Sequence, residues 1–85
     1  MPYRIEFHPD AETQYQSWKT SDLRYAKKID ELLEDIVSNP FSGLGKPEQL
    51  KGGMGWSRRI SKKDRLVYDV VEDLVIIYAC CGHYK

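Results

Sequence analysis

Two side chains that can move protons, Glu48 and His83, are separated in this sequence by a segment rich in basic residues. At neutral pH a glutamate is ionised and a histidine is close to the midpoint of its titration, so one can accept a proton and the other can donate one. A guanidinium group such as that of Arg65 can stabilise a phosphate whose negative charge grows in a transition state. Tyr84 directly follows His83. These residue types suit acid–base cleavage of a phosphodiester, which requires no metal ion.

Other common chemistries lack their sequence signals. The chain has no glycine-rich phosphate-binding loop and no serine or cysteine nucleophile with a partner base nearby. The enzymatic reaction that remains is cleavage of RNA in which the 2′-hydroxyl of the substrate is the nucleophile. DNA lacks this hydroxyl, so we expect it to be inert.

The charge of the chain is unevenly distributed, although its formal net charge is zero. The segment from Lys46 to Arg65 contains seven basic and two acidic residues, whereas the segments before and after it carry net charges of −3 and −2. A basic stripe on an otherwise acidic domain is typical of a phosphate-binding face, and the alternative is a merely solvated hairpin. The predicted RNA-binding residues are Lys51, Arg58, Arg59, Lys62 and Lys63.

The length of 85 residues predicts one domain over residues 1–85, with a core so small that a partner or a second copy would help to cover its apolar surface. No secretory signal and no apolar run long enough to span a membrane is present, so we expect a cytoplasmic protein. The adjacent Cys80 and Cys81 are interpreted as core residues in a reducing compartment. Because His8 is the only histidine besides His83, we expect neither a metal site nor a cofactor.

The first half of the chain predicts a strand and two helices. Tyr3–Phe7 alternates apolar and polar residues, and His8-Pro9-Asp10 suits a helix start, with Asp10 able to cap free amides. Ser21 is predicted to cap a longer second helix, which Asn39-Pro40 ends. Charged residues on the outer face of that helix are expected to be solvated; they are Lys27, Lys28, Asp30, Glu31, Glu34 and Asp35.

The second half of the chain predicts four strands joined by short turns, over 48–51, 56–60, 65–71 and 74–81. The predicted fold class is therefore α+β, with the N-terminal strand and the two-helix hairpin packed on an antiparallel sheet. Alternation places Arg65, Val67 and Asp69 on one face of their strand, and Ser57 and Arg59 opposite Arg58 on theirs. We expect an open sheet face that carries arginines and is bordered by Glu48 and His83.

These residues lie in motifs that resemble the YoeB family of bacterial toxins, a branch of the RelE superfamily. The resemblance covers almost the whole chain and rests chiefly on Gly-Lys-Pro-Glu at 45–48, Trp-Ser-Arg-Arg-Ile at 56–60, Arg-Leu-Val-Tyr at 65–68 and His-Tyr at 83–84. It implies a RelE-like toxin of a type II toxin–antitoxin pair that cleaves mRNA on the 70S ribosome and inhibits translation. It also implies a tendency to form homodimers and a YefM- or Axe-like antitoxin encoded by an adjacent gene.

The resemblance also assigns roles to four residues. It implies that Glu48 is the general base, His83 the general acid, Arg65 the stabiliser of the transition state and Tyr84 a positioning residue. A rival hypothesis from another class is a binding protein that occupies RNA or the ribosome and inhibits translation without cutting. The basic stripe would serve either function, but only the enzyme needs both Glu48 and His83.

Overall fold

Two helices pack on one face of a five-stranded sheet. The computed structural model describes residues 3–53 and 55–81. The elements in chain order are β1 (Arg4–Phe7), α1 (Pro9–Ser21), α2 (Leu23–Ser38), β2 (Glu48–Gln49), β3 (Trp56–Arg59), β4 (Arg65–Val71) and β5 (Leu74–Ala79). The strand order is β1-β5-β4-β3-β2, with β1 parallel to β5 and every other neighbouring pair antiparallel. The α+β prediction is confirmed, and the parallel strand β1 makes the sheet mixed.

Side-chain caps fix the N-terminal starts of the two helices. The His8 Nδ1 atom accepts a hydrogen bond from the Asp10 amide at 3.2 Å at the start of α1, so His8 rather than Asp10 is the cap. Asp22 separates the helices with an extended backbone, and its Oδ1 atom accepts from the Arg24 amide at 3.1 Å. The prediction that Ser21 caps α2 is wrong, because Ser21 is the last residue of α1 and its hydroxyl donates to the Ser17 carbonyl.

The core lies between α2 and the sheet. Residues Ile29, Leu32 and Ile36 repeat at helical spacing and are fully buried. They belong to one cluster with side chains from β4 and β5, among them Leu66, Tyr68, Val75 and Ile77. Full burial of an aliphatic side chain of this size stabilises the fold by about 1.5–3 kcal/mol. Since the helices cover this face of the sheet, the opposite face is left for other contacts.

Four strands are shorter than predicted, and the first of them, β1, begins at Arg4 rather than Tyr3. Strand β2 stops at Gln49, because Lys51–Gly53 forms a single 3₁₀ turn in which Gly52 has a φ of 76°. Strand β3 stops at Arg59, and β5 stops at Ala79. Beyond β5, Cys80 is buried but Cys81 is exposed, so the prediction of a core residue holds for the first cysteine and is wrong for the second. Neither helix among the described residues is long and apolar enough to cross a membrane.

Candidate functional site

The open face of the sheet carries the candidate catalytic groups of the described residues. Glu48 in β2 pairs with Ser57 in β3, and Arg59 in β3 pairs with Arg65 in β4. Ser57 also pairs with Val67, which continues the row into β4. Directly paired residues project from the same face of a sheet, so these side chains share the face away from the helices. The predicted alternation of β3 and β4 is therefore confirmed.

Glu48 and Arg65 line the same depression on that face. Its volume is roughly 230 Å³, and its wall also includes Lys51 and Ser57. An exposed acidic residue thus lines the same depression as a lysine and an arginine. Sequence reasoning placed Ser57, which is only 2% exposed, on the same face as Arg59 but did not name it as a site residue. The alternation of β3 is the sequence signal that could have identified it.

Among the described residues, the two arginines beside this depression have no carboxylate partner close enough for an ion pair. Arg59 and Arg65 pair across β3 and β4, and within the described ranges neither is within 4.0 Å of a carboxylate oxygen. Like charges directly opposite each other are unfavourable in a sheet, and a bound anion would relieve their repulsion. Lys62 and Lys63 are exposed in the turn that follows β3. This arrangement can bind phosphate groups.

Arg58 does not belong to this surface. Its side chain is 0% exposed, because β3 directs it toward α2 on the face covered by the helices. There it forms an ion pair with Asp35, and its Nε atom donates a hydrogen bond to the Tyr68 hydroxyl oxygen at 3.0 Å. The prediction that Arg58 holds RNA phosphates is wrong, since the alternation of β3 turns Arg58 inward.

Asp35 was expected to be solvated, but it pairs with the buried Arg58. Its side chain is about 30% exposed rather than solvated, and its Oδ2 atom accepts from Arg58 Nη1 and from the Leu44 amide. The hydrogen bond from Arg58, followed by that from Leu44, lowers the pKa of Asp35 below its ordinary value of 3.8. Burial raises the pKa of the Tyr68 hydroxyl, and the neighbouring Arg58 opposes that effect.

Helix α1 anchors the chain just beyond β5. The Cys80 amide donates to the Gln14 side chain at 2.8 Å, and Trp18 Nε1 donates to the Cys80 carbonyl at 2.9 Å. Both backbone groups of Cys80 are thereby fixed, three residues before His83 in the sequence. Sequence reasoning missed both anchoring side chains. His83 and Tyr84 lie outside the described residues, so their roles stay predictions.

Comparison with known proteins gives one family for nearly the whole chain. Residues 7–84 match the sequence profile of a family described as "YoeB-like toxin of bacterial type II toxin-antitoxin system". The chain is 49% identical over 72 residues to Toxin YoeB of Escherichia coli strain K12, an alignment that covers 82% of this chain and 86% of the relative.

Solved structures agree with the sequence comparison. A YoeB dimer from Staphylococcus aureus is 40% identical, and it aligns with a TM-score of 0.89 over 99% of this chain and 100% of that one. YoeB in a heterotetrameric YoeB-YefM toxin-antitoxin complex from the same organism is 39% identical, with a TM-score of 0.87 and coverage of 99% and 100%. The chain therefore belongs to the YoeB-like family of toxins of bacterial type II toxin–antitoxin systems.

Proposed function

We propose that this toxin is an mRNA endoribonuclease that acts on the ribosome without a metal ion and so inhibits translation. The observation that carries the proposal is the shared depression, which Glu48 lines together with Lys51 and Arg65. A carboxylate beside cations suits removal of a proton next to a phosphate. The same depression offers an exposed approach for a single strand of RNA.

In the proposed reaction, Glu48 removes the proton from the 2′-hydroxyl of the nucleotide before the scissile bond. The 2′-oxygen attacks the adjacent phosphorus, and the bond from phosphorus to the 5′-oxygen breaks. His83 donates a proton to that departing oxygen, and Arg65 stabilises the extra negative charge of the pentacoordinate phosphorus. Tyr84 helps to position the substrate. The products are a 2′,3′-cyclic phosphate and a 5′-hydroxyl.

The RNA is proposed to bind along the exposed cations of the open face and of the β3–β4 turn. These are Lys51, Arg59, Lys62 and Lys63. Contacts between these cations and phosphates provide affinity that is independent of sequence and falls as salt is added. The phosphates of ribosomal RNA as well as of mRNA fit this surface.

The same face is the proposed target of the antitoxin. Since a YoeB from Staphylococcus aureus is solved in complex with YefM, we propose a YefM-like antitoxin whose acidic segment folds on binding to the basic face. A YoeB dimer from that organism also supports a homodimer of this chain. Co-expression with the antitoxin is expected to yield a stable complex and to restore growth that the toxin alone arrests. If high expression of the toxin alone leaves growth unaffected, the proposed activity in the cell is wrong.

A reconstituted translation reaction tests the nuclease directly. Purified toxin is added to ribosomes translating a defined mRNA, and primer extension maps the ends of the RNA fragments. We expect new ends inside the translated region, and far fewer when the same mRNA is incubated without ribosomes. Inhibited translation of an mRNA that stays intact would instead identify a non-catalytic inhibitor that binds RNA or the ribosome.

A further inference from the structure

A buried guanidinium group organises the connection between α2 and β2. Arg58 donates five hydrogen bonds, and three of their acceptors are carbonyl oxygens of this connection: Asn39 at 2.7 Å, Ser42 at 3.1 Å and Leu44 at 3.1 Å. The other two acceptors are the Asp35 carboxylate and the Tyr68 hydroxyl. A buried cation with every donor direction engaged fixes the geometry of the backbone around it.

Further hydrogen bonds join the same connection to helix α2 and to the sheet. The Tyr68 hydroxyl donates to the Pro40 carbonyl at 2.6 Å, and the Leu44 amide donates to Asp35 at 3.0 Å. The Arg59 amide donates to the Gly45 carbonyl at 2.7 Å. The backbone is thus held as far as Gly45, three residues before the carboxylate proposed to act as the base.

The last residues of the connection adopt backbone angles that need such support. Gly43 and Gly45 have φ angles of 124° and 78°, and Lys46 has a φ of 52° although it carries a side chain. Positive φ is uncommon for residues other than glycine, and such conformations persist where the surrounding structure determines them. Release of the connection would therefore allow relaxation within two residues of Glu48.

We propose that Arg58, paired with Asp35, is a positioning residue that holds Glu48 in register with Arg65 across the depression. Arg58 does not touch RNA: it acts through residues 39–47, and the inference rests on the proposed function of Glu48. Arginine is required here because its planar fork presents five donors at fixed angles, whereas a lysine ammonium offers three. A displacement of about 1 Å at a reacting group can lower a rate by about 100-fold.

The test compares Arg58→Lys with a control variant of matched stability. The control is Val75→Ala, which creates a cavity in β5 on the far side of β4 from β3. Cleavage of ribosome-bound mRNA is measured well below the melting temperature of both variants. We expect Arg58→Lys to lower kcat by about 10- to 100-fold with little change in KM. We expect Val75→Ala to stay within about twofold of the unsubstituted chain. Equal kcat values for the two variants would overturn the proposal.

Gly43→Ala perturbs the same connection without altering Arg58. An alanine Cβ would collide with the Asp35 carboxylate, and φ at this position is unfavourable for a side chain. We expect the kcat loss of Arg58→Lys to recur in Gly43→Ala. An unchanged kcat in Gly43→Ala would count against the proposal.

Amide hydrogen exchange separates this inference from the proposed function. In Arg58→Lys, the amides of Leu44 and Arg59 should exchange at least about tenfold faster than in Val75→Ala. The Leu44 amide belongs to the connection and donates to Asp35, and the Arg59 amide donates to the Gly45 carbonyl of the connection. This readout needs no substrate. If the unsubstituted chain fails to cleave mRNA, the nuclease proposal fails, and exchange still decides whether Arg58 orders the connection. Unchanged exchange at both amides would overturn the positioning role.

Discussion

Arg58 and Arg59 are neighbours in the sequence, yet β3 turns one toward the helices and the other toward the open face of the sheet. Arg58 is fully buried and bound to Asp35, Tyr68 and three backbone carbonyls. Arg59 is exposed and lies opposite Arg65 without a carboxylate partner among the described residues. The two guanidinium groups have the same chemistry, but only one keeps its donors available for a ligand.

The difference shows how a small domain separates support from chemistry. A guanidinium with all its acceptors inside the protein orders the chain, because the loss of any acceptor would leave a buried N–H group without a hydrogen bond. A guanidinium opposite another cation, such as Arg59 opposite Arg65, instead favours the binding of an anion from outside the protein. One strand of four residues thus supports the site from one face and forms its binding surface on the other.

The largest expected effect comes from Glu48→Gln, which removes the proposed base and keeps the shape of the side chain. Cleavage should slow by about 10²–10⁴-fold, as expected for loss of a proton-transfer group. RNA or ribosome binding and the free energy of unfolding should stay close to those of the unsubstituted chain, since Glu48 is exposed. Single-turnover cleavage and a binding assay on the same preparation check both parts. A variant that cuts at an undiminished rate would remove Glu48 from the chemistry.

Substitution by methionine contrasts the two arginines in stability. Arg58→Met should lower the free energy of unfolding by about 3 kcal/mol, because Asp35 loses its partner and three carbonyls lose a donor. Arg59→Met should change the same quantity by less than about 0.5 kcal/mol. Urea unfolding followed by circular dichroism measures both values. Similar losses in the two variants would contradict the assignment of opposite faces.

Salt dependence contrasts the arginines in binding. Replacement of Arg59 and Lys62 with alanine should weaken RNA binding regardless of sequence and reduce the slope of log K against log salt by about 1.4, at about 0.7 for each phosphate contact on a single strand. A double variant of exposed lysines on the two helices, Lys19→Ala in α1 with Lys27→Ala in α2, is not expected to change the slope. An unaltered slope in the Arg59 and Lys62 variant would remove these residues from the RNA surface.

The smallest expected effect is the pH dependence of the Arg58–Asp35 pair. Because the pKa of Asp35 is lower in the folded chain than its ordinary value of 3.8, the pair contributes stability above that pH and loses it as the pH falls through the folded pKa. Asp35→Asn removes this dependence. The difference in unfolding free energy between the unsubstituted chain and Asp35→Asn should therefore shrink between neutral pH and about pH 3. A difference that stays constant over this range would contradict the ion pair.

Much of the fold follows from local patterns in the sequence. The apolar spacing of α2 and the alternation of β4 predict both elements, and β4 has the predicted bounds of Arg65–Val71. The same alternation predicts that Ser57, Arg59 and Arg65 share a face, because parity depends only on neighbouring residues. The family motifs add the topology, which depends on contacts between distant segments.

The errors about Arg58, Asp35 and the chain beyond β5 concern partners that are distant in the sequence. Arginine and aspartate are usually found at the protein surface. The ion pair of Arg58 and Asp35 arises from the packing of α2 on β3. A count of basic residues in one segment cannot distinguish inward from outward side chains. The anchoring of Cys80 by Gln14 and Trp18 likewise joins residues more than 60 positions apart, which no local pattern indicates.

The identity of the nucleophile is the central claim of the proposed mechanism. The direct measurement uses an mRNA in which the nucleotide before the mapped cut carries a single 2′-deoxy substitution, with the unsubstituted mRNA as the control. The mechanism predicts that the deoxy substrate is not cut at that position, and that the control yields a 2′,3′-cyclic phosphate and a 5′-hydroxyl. Cleavage of the deoxy substrate at the same bond would show that water or a protein side chain attacks the phosphorus, and would contradict the mechanism.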